Sequence, residues 1–127
     1  MIKPDMSLTK AEDQIMQILW KIEKGFIKDI LEHFYEPKPA YTTVATFMKI
    51  LEKKGYVSYE PFGNAHQFYP IISKDEYSKV HLNTIFSKYF KSSIKDVVTF
   101  FSDNNQVSIN DIDSAIKLLT EIKNKKS

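Results

Sequence analysis

The hydrophobic period of this chain changes near residue 56, for about fifteen residues, and that change limits the folds open to it more than any other feature. Before it, apolar residues recur every three or four positions. Ile15, Ile18, Leu19 and Ile22 form one stripe, Ile30, Leu31 and Phe34 a shorter one, and Val44, Phe47, Met48 and Leu51 a third. Such stripes let a helix bury one face and wet the other. After it, residues 56–60 and 65–69 are β-branched and aromatic runs flanking Pro61-Phe62-Gly63-Asn64, a turn signal, and predict a β-hairpin. Three helices followed by a hairpin make a winged helix.

Local signals set the ends of these elements. Thr9-Lys10-Ala11-Glu12 has the form of a capping box, so the first helix is predicted at about 9–23, with Gly25 as its stop. Phe26-Ile27 reads as a short extended segment, and Pro37-Lys38-Pro39 ends the second helix. The third begins near Tyr41-Thr42 and closes at Lys53-Lys54-Gly55, where glycine suits a left-handed residue and the lysines suit the helix's negative end. Ser73-Lys74-Asp75-Glu76 is a second capping box, opening a helix to about Phe90. Ser93 and Ser108 are predicted N-caps of two more helices, with Asp103-Asn104-Asn105 as the loop between them.

The expected fold is therefore mainly α with a small β-hairpin wing: a winged helix-turn-helix domain over residues 1–72 and a C-terminal three-helix dimerisation domain over residues 73–127. Units this small bury a modest share of their surface alone. Tyr77, Leu82, Ile85, Phe86, Tyr89 and Phe90, with Ile112, Ile116 and Leu119, carry more apolar surface than one copy hides, and are the expected contacts of a homodimer. The alternative is that they pack onto the winged helix of their own chain.

Composition closes off other classes. With no cysteine, disulfides, thiolate metal sites and cysteine nucleophiles are excluded. Met1-Ile2-Lys3-Pro4-Asp5 lacks the apolar run of a signal peptide, and no stretch nears the roughly 18 apolar residues that cross a bilayer, so a cytoplasmic protein without membrane insertion is expected. His33, His66 and His81 have no metal-binding spacing, and there is no G-x-S-x-G or glycine-rich phosphate loop. Neither an enzyme nor a bound cofactor is expected.

All 18 basic residues are lysine, and residues 1–70 carry 9 Lys against 9 acids. The commonest bidentate reader of guanine, arginine, is missing. Any nucleic-acid contact must therefore come from local placement. Once Val44, Phe47, Met48 and Leu51 turn inward, the third helix shows Thr42, Thr43, Ala45, Thr46 and Lys49 outward, a face suited to a major groove. Thr hydroxyls pair with several base or phosphate groups, and methyls meet thymine. Lys49, Lys53 and Lys54 are candidate phosphate contacts, although lysines at 53 and 54 equally suit a helix end. Tyr41 either touches phosphate or packs over the second helix. In the wing, Asn64, His66 and Gln67 are candidates for the backbone or minor groove.

Leu8-Thr9-Lys10-Ala11-Glu12 with Ile18-Leu19-Trp20, then Tyr41-Thr42-Thr43-Val44, then Leu51-Glu52-Lys53-Lys54-Gly55-Tyr56-Val57, resemble the BlaI/MecI/CopY penicillinase-repressor family from about residue 7 onward, more weakly after residue 73. The resemblance implies a homodimeric transcriptional repressor on a palindromic double-stranded DNA operator, released in some members when a membrane sensor protease cuts the C-terminal domain. The family's scissile Asn-Phe pair falls here on Thr99-Phe100, keeping the Phe and not the Asn. The copper-responsive branch, which uses a cysteine cluster, is excluded. Two other readings stay open: a ligand-sensing winged-helix regulator with a pocket among Phe86, Tyr89, Phe90, Phe100 and Phe101, and a winged helix that binds protein, favoured by the neutral first 70 residues.

Overall fold

The computed structural model describes residues 7–103 and 107–127. Its element order is α1 (Lys10–Ile22), α2 (Ile27–Glu32), α3 (Tyr41–Lys53), β1 (Val57–Phe62), β2 (Ala65–Pro70), α4 (Lys74–Tyr89), α5 (Ile94–Ser102) and α6 (Ile109–Lys126). A helix-turn-helix followed by a two-stranded antiparallel hairpin is a winged helix, as the change of period predicts. Met1–Asp5, Asn104 and Asn105, where a leader and part of a loop were considered, lie outside the described residues. Among the described residues no helix is long and apolar enough to cross a membrane.

The capping box at α1 forms as expected. The Glu12 amide donates to Thr9 Oγ1 at 3.3 Å, and the Thr9 amide donates to Glu12 Oε1 at 2.8 Å. The end of α1 differs from expectation. Glu23, not Gly25, takes the left-handed turn at φ 73°, with its amide donating to the Leu19 carbonyl. Gly25 is used otherwise: its N–H and C=O exchange hydrogen bonds of 2.9 and 2.8 Å with Phe68, which sews the wing to the helix-turn-helix. A Cβ there would lie 2.8 Å from Ile22 Cδ1 and 3.2 Å from Asp29 Cβ, so a side chain at this position would crowd the end of α1 and the start of α2. Phe26 then precedes α2, its amide donating to Asp29 Oδ2 at 2.8 Å.

The hairpin turn is tighter than predicted. Phe62 pairs with Ala65 and Pro61 with His66, leaving Gly63-Asn64 as a two-residue loop with Gly63 at φ 61°. The strands therefore extend into residues expected in the turn, since a proline is tolerated on an edge strand. Ile15, Met16, Leu19, Ile30, Val44, Met48, Leu51, Tyr56, Val57 and Phe68 form the core of this part.

Tyr77, in the first turns of α4, is only 7% exposed and belongs to that same core. Its ring lies 5.6 Å from Trp20 and 5.8 Å from Tyr56, and Trp20 Nε1 donates to the Ile72 carbonyl at 2.9 Å. It was expected in a contact between copies; within the chain its surface is taken by these rings. Correspondingly the first compact unit ends at Thr84, inside α4, twelve residues beyond the expected limit at 72, and the second is Ile85–Ser127. In the second unit, α4 ends in a turn through Lys91 and Ser92, both at positive φ, with the Ser92 amide donating to the Phe86 carbonyl. Ser93 and Ser108 cap α5 and α6 as predicted, accepting from the Asp96 and Asp111 amides at 3.1 Å each.

Gly25→Ala is expected to lower the unfolding free energy by about 1–2 kcal/mol, the range for a small overpacking against side chains with some freedom to move. Urea titration measures this, and an unchanged midpoint would show that Ile22 and Asp29 give way around an added methyl without cost.

Candidate nucleic-acid interface

The outward side of α3 carries two strips. Tyr41, Ala45 and Lys49 follow one another at four-residue intervals and face a cleft of about 630 Å³ between α3, the start of α2 and the hairpin. Thr42 and Thr46 lie on an adjacent strip and, with Thr43, are exposed; Ala45 is half-buried. Thr46 Oγ1 donates to the Thr42 carbonyl at 3.0 Å. Having spent its proton inward, the Thr46 hydroxyl offers an acceptor and a methyl to anything in front of it, which suits the amino group of adenine or cytosine or a thymine methyl.

The three lysines of this helix separate by environment. Lys49 and Lys53 are exposed, and among the described residues neither has a carboxylate within ion-pair distance. Lys54 turns the other way. Its ammonium sits 2.7 Å from Glu12 Oε1 and 3.4 Å from the Ser7 carbonyl, so it is engaged inside the fold rather than offered to a phosphate. Glu12 is 2% exposed. Burial pushes its pKa up, but hydrogen bonds from Lys54 and Thr9 and the Lys54 charge outweigh burial, leaving the carboxyl below its ordinary 4.5.

In the wing, Asn64 and His66 are exposed and line the same cleft, while Gln67 is half-buried. The His66 ring stacks on Tyr59, centroids 3.9 Å apart and 8° from parallel. The fold thus gathers Tyr41, Ala45, Lys49, Asn64 and His66 around one concavity, while Thr42, Thr43, Thr46, Lys53, Lys54 and Gln67 of the expected set do not line it. Lys28 was missed at the sequence level. It stands at the rim only because the Gly25–Phe68 bridge brings α2 against the hairpin, and nothing local in Ile27-Lys28-Asp29 signals that.

Of the residues expected in a contact between copies, Ile85, Phe86 and Phe90 are half-buried, and Leu82, Tyr89, Ile112, Ile116 and Leu119 are exposed, Ile116 by 58%. Thr99 and Phe100 lie within α5, Thr99 Oγ1 donating to the Lys95 carbonyl at 2.9 Å, and the Phe100 ring is 6.1 Å from Phe90.

A family model described as the penicillinase repressor matches residues 8–121. The chain is 23% identical to the penicillinase repressor of Bacillus licheniformis over 124 residues, which is 94% of each chain. It is 22% identical to the methicillin resistance regulatory protein MecI of Staphylococcus aureus over 115 residues, 90% of this chain and 94% of that protein, and equally similar to MecI of Staphylococcus epidermidis.

Lys54→Ala leaves Glu12 buried without its countercharge and is expected to cost about 2–3 kcal/mol at pH 7, below the full cost of breaking a deeply buried pair because Lys54 is partly exposed. The folded pKa of Glu12 is depressed, so the pair stabilises fully above pH 4.5 and its contribution fades as pH falls below that value. Urea melts at pH 7 and pH 3.5 should show the wild type losing this increment and Lys54→Ala having none to lose; parallel losses would refute the pairing.

Proposed function

This chain belongs to the penicillinase repressor family and is a DNA-binding transcriptional repressor; from that premise we propose that it acts in the cytoplasm as a homodimer on a palindromic operator, laying α3 in the major groove. The observation that carries the reading is the open threonine-and-lysine side of α3: Thr42, Thr43, Ala45 and Thr46 reach base edges, Lys49 and Lys53 reach phosphates, and Tyr41, Asn64, His66 and Gln67 flank them.

What supports a second copy is surface left uncovered. Among the described residues beyond Tyr77 none is buried, and α5 and α6 still expose Ile94, Val98, Phe101, Ile112, Leu118 and Leu119. A unit as short as Ile85–Ser127 is near the size at which domains need oligomerisation to hold together. Two copies related by a two-fold axis present two recognition helices, which a palindrome mirrors.

Release by cleavage at Thr99–Phe100 is the control step we attach to this reading, with a membrane sensor protease as the partner. That bond lies inside a nine-residue helix, and a protease takes an extended segment, so α5 must open first. Helices this short are marginal without packing, which keeps the opening accessible.

Lys49→Ala and Lys53→Ala are each expected to weaken binding to every duplex and to lower the slope of log affinity against log salt by about one. Lys54→Ala should leave that slope unchanged. Fluorescence anisotropy across a salt series measures it, and a wild-type slope for Lys49→Ala would remove this residue from the interface. Sedimentation equilibrium and a footprint showing two symmetric half-sites, about one helical turn or a multiple apart, test the dimer; a monomer protecting a single half-site would refute it.

A further inference from the structure

We propose that the cleft between α3 and the hairpin is a binding site for a planar aromatic carboxylate, and that its occupant and DNA exclude one another. The exclusion rests on the DNA-binding reading above; the site itself does not. A groove that met only phosphate would need donors throughout, yet the walls here are largely Phe26, Ile27, Tyr59 and Phe68. Phosphate has no face to lay on these rings. The volume of about 630 Å³ falls among those of small-molecule sites, which are mostly apolar with a few convergent polar groups.

Shape and charge select the ligand class. Tyr59 and His66, stacked on each other, and Phe26 and Phe68 give the cleft an aromatic lining, which favours an aromatic partner. Lys28 and Lys49 also line it, and among the described residues neither ammonium has a carboxylate within ion-pair distance. They are available to one carboxylate through charge-assisted hydrogen bonds. Glu52, a third charged lining residue on α3, disfavours a second negative charge, so a monoanion fits better than a dianion. Tyr41, Ala45 and Lys49 belong both to the cleft and to the face offered to DNA, so a molecule seated there withdraws Lys49 from phosphate and occupies the space beside the wing.

The test uses full-length protein with 2-naphthoate as probe and 2-naphthamide as its neutral isostere. Binding is followed, without DNA, by the methyl NMR signals of Ala45 and Ala65, which both line the cleft. The acid should shift both signals saturably and bind about tenfold more tightly than the amide. Lys28→Gln should narrow the gap between acid and amide without changing the thermal midpoint, and Lys28→Gln with Lys49→Gln should close it. Absence of a saturable shift, equal affinity for acid and amide, or shifts confined to methyls of α5 and α6 would overturn the site. With labelled duplex present, the acid should lower DNA binding in step with cleft occupancy; occupancy that leaves duplex binding intact would overturn the exclusion. Failure to bind duplex without ligand would defeat the DNA reading alone, and the methyl titration would still decide the site.

Discussion

The orientation of α3 rests on a carboxylate that is almost wholly buried. Glu12 belongs to the first turn of α1, yet its Oε1 takes the Thr9 amide on one side and the Lys54 ammonium, just past the end of α3, on the other. A buried carboxylate with no partner is expensive, so this one holds its two partners in place. The start of one helix is thereby tied to the end of another 42 residues away. Tyr56, fully buried, follows directly from that end; burial, then the nearby Tyr77 and Glu12, push its hydroxyl up to about 12, so it stays neutral in the core. The outward side of α3 is fixed because its inward side has these polar and aromatic anchors as well as apolar packing.

The wing is held by a different device. A two-stranded hairpin is marginal alone, and here Phe68 both enters the core and bonds through its backbone to Gly25. Further along, Trp20 holds the Ile72 carbonyl and packs, tilted, against Tyr77. Hairpin, α2 and α3 therefore face one another across a gap of set width, and both the DNA face and the cleft follow from that spacing.

What the sequence made legible was local. Capping signals at Thr9, Ser73, Ser93 and Ser108 are written within four residues, and the helical and strand periods within ten, so they read out directly. What it hid depends on distant partners. Lys54 looks like its neighbour Lys53 until Glu12 is placed beside it. Tyr77 looks like the other aromatics of α4 until Trp20 and Tyr56 close round it, and apolar residues distributed round a helix do not say which neighbour takes which. Gly25 has the look of a helix stop, whereas its backbone bridges to a residue 43 positions on and its missing Cβ makes room for Ile22 and Asp29. Lys28 carried no signal at all, because its role is created by the convergence of three elements.

A neutral winged helix on DNA is less of a contradiction than its net charge suggests. Residues 1–70 balance 9 lysines against 9 acids, but a field depends on where charges lie, and Glu12 is buried against Lys54 and contributes little outward. On the exposed side of α3, Lys49 and Lys53 meet only Glu52 within the helix. Lysine supplies a point charge with no fixed fork, so in the proposed complex these two residues would hold the backbone without reading sequence. Discrimination then falls to threonine hydroxyls and methyls, one of which, on Thr46, has its proton already committed to Thr42. A surface of that kind gains little from any single base pair and must repeat itself to be selective. The uncovered apolar faces of α5 and α6 and a reliance on many weak contacts would thus be met together by the arrangement proposed above, two copies on a doubled site.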